Sequence, residues 1–146
     1  MDDNRQIVCP QCEAINRLSF ARLDKQPHCR KCQQALFQKR SVILNADNFQ
    51  RHITSNEIPV LVEFWAASCG YCQKMAPAFG QAAKHLEPYV RLATINSEAY
   101  PGIAAQHAVS SLPTLILFRT CNEIARQAGA LTVEQIVTWT RSKILS

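Results

Sequence analysis

Glu63-Phe64-Trp65-Ala66-Ala67-Ser68-Cys69-Gly70-Tyr71-Cys72 ends an almost unbroken apolar run that begins at Ile58. Such a run reads as a strand buried on both faces, with Glu63 its one interruption. A helical pattern follows to about Leu86, with Pro77 inside it and expected to kink it. Cys69 and Cys72 therefore stand where a buried strand hands over to a helix. A helix start carries unpaired N–H groups and about half a positive charge, which favours a thiolate over a thiol. Cys69 would sit at that start and Cys72 one turn inside, close enough for the sulfurs to bond. The outer thiol's pKa then falls below the free value of about 8.5. The chemistry expected is thiol–disulfide exchange: Cys69 attacks a disulfide and Cys72 resolves the mixed disulfide. Gly70 is expected to keep the turn tight and to let a substrate backbone approach. A lone Cys-x-x-Cys also suits a structural bridge or half a metal site; the strand-to-helix junction favours redox catalysis.

Outward from this stretch, residues 41–146 read as one α/β domain. Val42-Ile43-Leu44 is a short strand, and Asn45 or Asp47 caps a helix to about Ile53. Val90 to Ile95 and Leu112 to Phe118 are further buried strands, with a short helix, Gly102 to His107, between them. Asn122 to Gln127 pairs back through a turn at Thr120-Cys121-Asn122. Val133, Ile136, Val137, Thr140 and Ile144 share one face of a C-terminal helix. The order βαβαβαββα predicts early parallel strands and a final antiparallel hairpin.

Residues 1–40 differ. They carry two more cysteine pairs, Cys9-Pro-Gln-Cys12 and Cys29-Arg-Lys-Cys32, with 16 residues between them, and lack a long apolar period. A segment this small needs a staple. Two knuckles of this spacing suit a tetrahedral four-sulfur zinc ribbon, with Cys9, Cys12, Cys29 and Cys32 as ligands. Four thiolates would also hold iron, and two structural disulfides are the alternative that a reducing compartment disfavours. His28 is read as a surface residue, and His52, His85 and His107 receive no role.

The net charge is +5 over 146 residues; residues 1–40 hold 8 Lys/Arg against 4 Asp/Glu, the rest 8 against 7. The basic surplus suits nucleic acid, but four thiolates on one zinc ion add about −2 and cancel half of it. Phe20 and Phe37 alone offer little for base stacking. No apolar run approaches the roughly 20 residues of a membrane span, and the polar start lacks a secretory pattern. The expected location is the cytoplasm, where seven cysteines serve metal binding or redox chemistry. Cys121, the odd cysteine, reads as a turn residue.

The stretch 63–72, with Met75-Ala76-Pro77, Ser111-Leu112-Pro113-Thr114 and Glu123 through Gly129-Ala130, resembles the thioredoxin family over residues 41–146. The cysteine-rich start is similar to the zinc-containing, two-domain branch of that family. The resemblance implies a thioredoxin fold, a central mixed sheet flanked by helices, behind a small zinc ribbon. It implies a protein-disulfide reductase acting on disulfide-containing proteins and recharged by an NADPH-dependent thioredoxin reductase, with no cofactor in the redox step beyond the dithiol. A monomer is expected. Pro113 matches the family's cis-proline and Leu112 the backbone that meets an extended substrate; Trp65, Gly70, Tyr71 and Gly129 border the same surface. Glu63 matches the family's buried acid, usually Asp. Burial should raise its pKa and let it take the Cys72 proton through a water, unless it lies at a strand edge and reaches solvent.

Three departures stand out. Gly-Tyr replaces Gly-Pro, so Tyr71 restores an N–H donor near Cys69 and raises the expected potential. Ser68 replaces a tryptophan. Thr94 replaces a lysine near the acid, which should raise the Glu63 pKa further. Gly-Tyr keeps a disulfide isomerase or oxidase open as a rival enzyme, and a zinc-dependent holdase or redox-sensing protein is the rival from another class.

Overall fold

The structure, a computed structural model, describes residues 3–145. An antiparallel hairpin, β1 (Asn4–Val8) and β2 (Ile15–Ser19), opens the chain and runs into a 3-10 turn, Phe20–Arg22. Then follow β3 (Val42–Ile43), α1 (Phe49–Ser55), β4 (Val60–Trp65), α2 (Gly70–Leu86), β5 (Arg91–Asn96), α3 (Pro101–Gln106), β6 (Thr114–Arg119), β7 (Asn122–Ala128) and α4 (Val133–Leu145). The large sheet has the order β3-β5-β4-β6-β7. β3, β5 and β4 are parallel, while β6 and β7 each run antiparallel to their neighbour. The expected α/β order and strand directions are both found.

β4 is the central strand, and both its faces are covered. Val60, Val62 and Phe64 pack with Phe49 and Ile53 of α1 and Ala104 of α3. Leu61 points the other way, against Met75 and Phe79 of α2 and Ile136 of α4. Glu63 and Trp65 alternate with Leu61, so they face the α2 layer. α2 buries Cys72, Met75, Phe79, Ala82, Ala83 and Leu86, a spacing of three and four that makes one stripe. Each large apolar side chain removed from water there contributes about 1.5–3 kcal/mol.

The cap of α1 differs from the expectation. Asn48 is the residue at the N-cap, and its side chain does not bond the helix. Asn45 instead builds the entry turn, its Oδ1 accepting from the N–H groups of Asp47 and Asn48. The hairpin tip between β6 and β7 is the two-residue turn Thr120-Cys121, both at positive φ, the backbone of a type I′ turn.

Residues 3–40 do not pack alone. Ile7, Cys9, Leu23, Cys29 and Leu36 cluster around Ile58, which belongs to the segment leading into β4. Gln6 and Glu57 exchange backbone and side-chain hydrogen bonds, and Val8 N–H donates to Asn56 Oδ1 at 2.8 Å. Arg91, at the start of β5, is buried and donates to the carbonyls of Val8 and Leu36 while pairing with Glu87.

Candidate active site and metal centre

Cys69 is the N-cap of α2 and Cys72 lies in its first turn. Their Cα atoms are 5.2 Å apart and the sulfurs are joined as a disulfide. Cys72 N–H donates to Cys69 Sγ at 3.1 Å. The helix start thus presents a donor to the sulfur that would carry negative charge after reduction. That donor is the N–H of Cys72, not the Tyr71 N–H expected from the sequence. Cys69 is half-buried and Cys72 is 2% exposed, so only the outer sulfur can meet a large substrate. Tyr71, 68% exposed, stands beside it.

Gly70 has an ordinary φ, and a Cβ on it would meet nothing within 4 Å. The turn therefore does not require glycine, which corrects half of the expectation; the open space above it is what remains. Gly129 is the opposite case. Its φ of +98° belongs to glycine, and its N–H donates to Pro113 O at 2.9 Å. Leu112-Pro113 is a cis peptide. Phe64 at the end of β4 pairs with Thr114 at the start of β6, so the loops carrying Cys69 and Pro113 leave the same end of the sheet. Leu112 and Trp65 are half-buried there.

Glu63 is 2% exposed in the middle of the sheet, which excludes the strand-edge escape. Burial pushes its pKa up to about 7. Glu63 and Cys72 line one cleft of about 320 Å³. Thr94, opposite Glu63 on β5, lines it too and supplies no charge.

The second cysteine set forms a separate centre. The sulfurs of Cys9, Cys12, Cys29 and Cys32 all lie within 4.8 Å of one another, with Cys9–Cys32 and Cys12–Cys29 at 3.6 Å. Tetrahedral Zn–S bonds of about 2.3 Å require sulfurs about 3.8 Å apart, so the donor set fits such an ion. The two knuckles are built alike. Cys9 O accepts from Glu13 N and Cys29 O from Gln33 N, and Glu13 and Gln33 both have positive φ. Gln11 N–H points at Cys9 Sγ and Lys31 N–H at Cys29 Sγ. His28 is exposed and lies outside the cluster.

The thioredoxin family profile matches residues 40–142, and the profile described as "Thioredoxin 2, N-terminal", a zinc ribbon, matches residues 8–34. The chain belongs to the thioredoxin family. It is 42% identical to Thioredoxin C-3 of Corynebacterium nephridii over 91% of each chain, an alignment of 133 residues that must extend into the ribbon. It is 38% identical to a thioredoxin-like protein of Synechocystis over 62% of this chain and 86% of that one. The disulfide at the start of α2 and the family together make it a protein thiol–disulfide oxidoreductase. No helix among the described residues is long and apolar enough to cross a membrane.

The structure adds residues to this thioredoxin-family site that local sequence did not reveal. Glu98 accepts from Ser68 Oγ at 3.0 Å and Ser68 N at 3.3 Å, fixing the loop before Cys69. His52, read as having no partner, is fully buried between Glu13 of the first knuckle and Asn56. Burial, then the cations Arg91 and Arg51, push its pKa down to about 4. It is thus neutral, its Nε2–H donating to Glu13 and its Nδ1 accepting from Asn56. His107, also read as partnerless, packs its ring among Phe49, Phe64 and Phe118. Phe20 and Phe37, the ribbon's two aromatics, are engaged internally: Phe20 with Tyr89 and Arg5, Phe37 under Arg91.

Proposed function

We propose that the chain reduces disulfides in proteins through Cys69 and Cys72. The observation that carries this reading is a half-buried sulfur at a helix N-cap, bonded to a buried partner one turn inside. In the dithiol form the Cys69 thiolate attacks one sulfur of a substrate disulfide and expels the other as a thiolate. Glu63 then takes the Cys72 proton by way of water, and the Cys72 thiolate attacks Cys69 Sγ. The substrate sulfur bonded to Cys69 in the mixed disulfide leaves with the electron pair, and the Cys69–Cys72 disulfide remains. A Glu63 pKa near 7 leaves this base about half ionised at neutral pH. The Leu112–Pro113 backbone, Gly70, Tyr71, Trp65 and Gly129 border the face that an extended substrate would meet.

In this reading a thioredoxin reductase using NADPH returns the pair to the dithiol, and residues 1–40 and 41–146 are the ribbon and the catalytic domain. Cys9, Cys12, Cys29 and Cys32 would hold one zinc ion, whose part is to cross-link a segment too small to fold on its own core. Five free cysteines, four of them in metal-ligand spacing, support a reducing, cytoplasmic setting.

NADPH-coupled reduction of insulin with thioredoxin reductase tests the reading. Wild type should turn over and Cys69→Ser should not; turnover by Cys69→Ser would remove Cys69 from the mechanism. Exposed Tyr71 in place of proline favours one second reading, an isomerase or oxidase. A reduction potential in the range of oxidising isomerases, about −180 mV or above, would select it.

A further inference from the structure

The cleft shared by Glu63 and Cys72 is lined by three further polar side chains, Ser41, Thr94 and Gln73, the last with its Nε2 donating to Ala67 O at 2.8 Å. Thr94 is the cross-strand neighbour of Glu63 on β5. Ser41 comes from the segment that joins the ribbon to β3 and is half-buried. Neither hydroxyl has a protein hydrogen-bond partner, and the Glu63 carboxyl has none either. Three unpartnered polar groups around one space of about 320 Å³ meet the requirement for an ordered water, which needs two to four such partners. Apart from Gln73, the remaining wall is apolar, including Ile43, Trp65, Ala76 and Phe79. The Glu63 carboxyl, 2% exposed, is costly in these surroundings unless something bonds it, while the two hydroxyls beside it are half-buried.

We propose that the hydroxyls of Thr94 and Ser41 hold the water that connects Glu63 to Cys72 and to bulk solvent, as positioning residues for the proton transfer. This rests on the reading of Glu63 as the base for Cys72. The proton moves from Cys72 Sγ through the held water to a Glu63 carboxylate oxygen, then from the carboxyl to solvent once the Cys69–Cys72 bond has formed. Net charge is conserved at each transfer, and no further reactant is needed. Ile43 at the rim is 79% exposed, so the cleft opens to water beside β3. Where family members place a cation near the acid, this chain places a hydroxyl. A hydroxyl both donates and accepts, so it can orient a water toward the carboxylate and toward the carboxylic acid alike. Around Glu63, the facing positions are neutral: Ile43 on β3, Phe79 on α2, Thr94 on β5 and Leu115 on β6. Among the described residues, Cys72 is the only other titratable group lining the cleft.

The test is the pH profile of disulfide reduction by the full, metal-loaded chain, with the ionisation of Glu63 followed by carboxyl NMR. Thr94→Val keeps the shape and removes the hydroxyl; Thr94→Ser restores it. Thr94→Val and Ser41→Ala should each slow resolution at pH 7 by about fivefold, the size of one lost hydrogen bond, and move the acid limb of the profile to higher pH. Thr94→Ser should behave as wild type. Unchanged profiles in both Thr94→Val and Ser41→Ala would overturn the proposal, as would a Thr94→Ser variant as slow as Thr94→Val, since the defect would then be one of packing. Glu63→Gln separates the two layers. If it leaves the profile unaltered, the proton-relay reading itself fails. If it removes the acid limb while the hydroxyl variants match wild type, only the water-holding role fails.

Discussion

Arg91 and Glu87 form an ion pair at 2.9 Å with both side chains only 1% exposed. Glu87 also accepts from Lys39 N–H at 2.6 Å, and Arg91 donates to the Val8 and Leu36 carbonyls. One buried charge pair therefore ties β5 to both knuckles and to the joining segment. Arg91→Met strands the carboxylate and two backbone carbonyls, and should cost about 3–5 kcal/mol in urea unfolding. Replacing both, Arg91→Met with Glu87→Leu, should recover part of that loss. A double variant as unstable as the sum of the singles would show that the two charges do not act as a pair.

Two buried groups titrate in opposite senses. Glu63 is raised from 4.5 to about 7, so its contribution to stability is full below 4.5 and is lost as pH rises through 7. His52 is lowered from 6.5 to about 4, so its contribution is full above 6.5 and is lost as pH falls through 4. Each amounts to about 3 kcal/mol over its window, so in wild type they largely cancel. Glu63→Gln should expose a stability that rises with pH between about 4 and 6.5, and His52→Gln one that falls between about 4.5 and 7. Urea titrations of the oxidised, zinc-loaded protein check this; slopes of the same sign in both variants would refute the pairing.

Removing the metal should act locally at first. With a chelator under reducing conditions, one zinc per chain should be released, and amide protection in β1 and β2 should fall while that of β4 and β6 persists. Cys9→Ser should lower zinc content in the same way. Full protection of β1 after complete metal loss would mean that Ile58, Arg91 and Glu57 suffice to hold the hairpin.

The two glycines near the redox pair should respond differently to alanine. Gly129→Ala forces a side chain to a φ of +98° and should cost about 1–2 kcal/mol. Gly70→Ala meets open space at ordinary φ and should change stability by no more than about 0.5 kcal/mol. A Gly70→Ala variant with normal stability and reduced turnover would place the substrate backbone over this position. Equal destabilisation of the two would contradict the backbone geometry.

What the sequence revealed was whatever its own spacing encodes. The strand ending at Trp65, the cysteines at the next helix start and the two knuckles of two cysteines each are local patterns, and the fold followed from them. The cis bond before Pro113 and the burial of Glu63 came from family resemblance and were found as expected. His52 and Arg91 were illegible for a physical reason. Each has one partner four residues away, Asn56 and Glu87, but the others lie 39, 55 and 83 residues away, and two of Arg91's are backbone carbonyls, which any residue would carry. Gly70 was expected to keep the turn tight, but its φ is ordinary and a Cβ there meets nothing within 4 Å, so the turn does not call for glycine. The cap expected at Asn45 or Asp47 lies at Asn48, and Asn45 spends its oxygen on the entry turn, bonding the N–H groups of Asp47 and Asn48.

The sheet order puts β6 and β7 on one side of β4 and β5 and β3 on the other. Pro113 and Gly129 belong to the first side, while Ser41, Ile43 and Thr94 belong to the second. In the proposed mechanism the substrate face and the proton cleft therefore lie on opposite banks of the central strand and meet at one side chain, Trp65, which borders both.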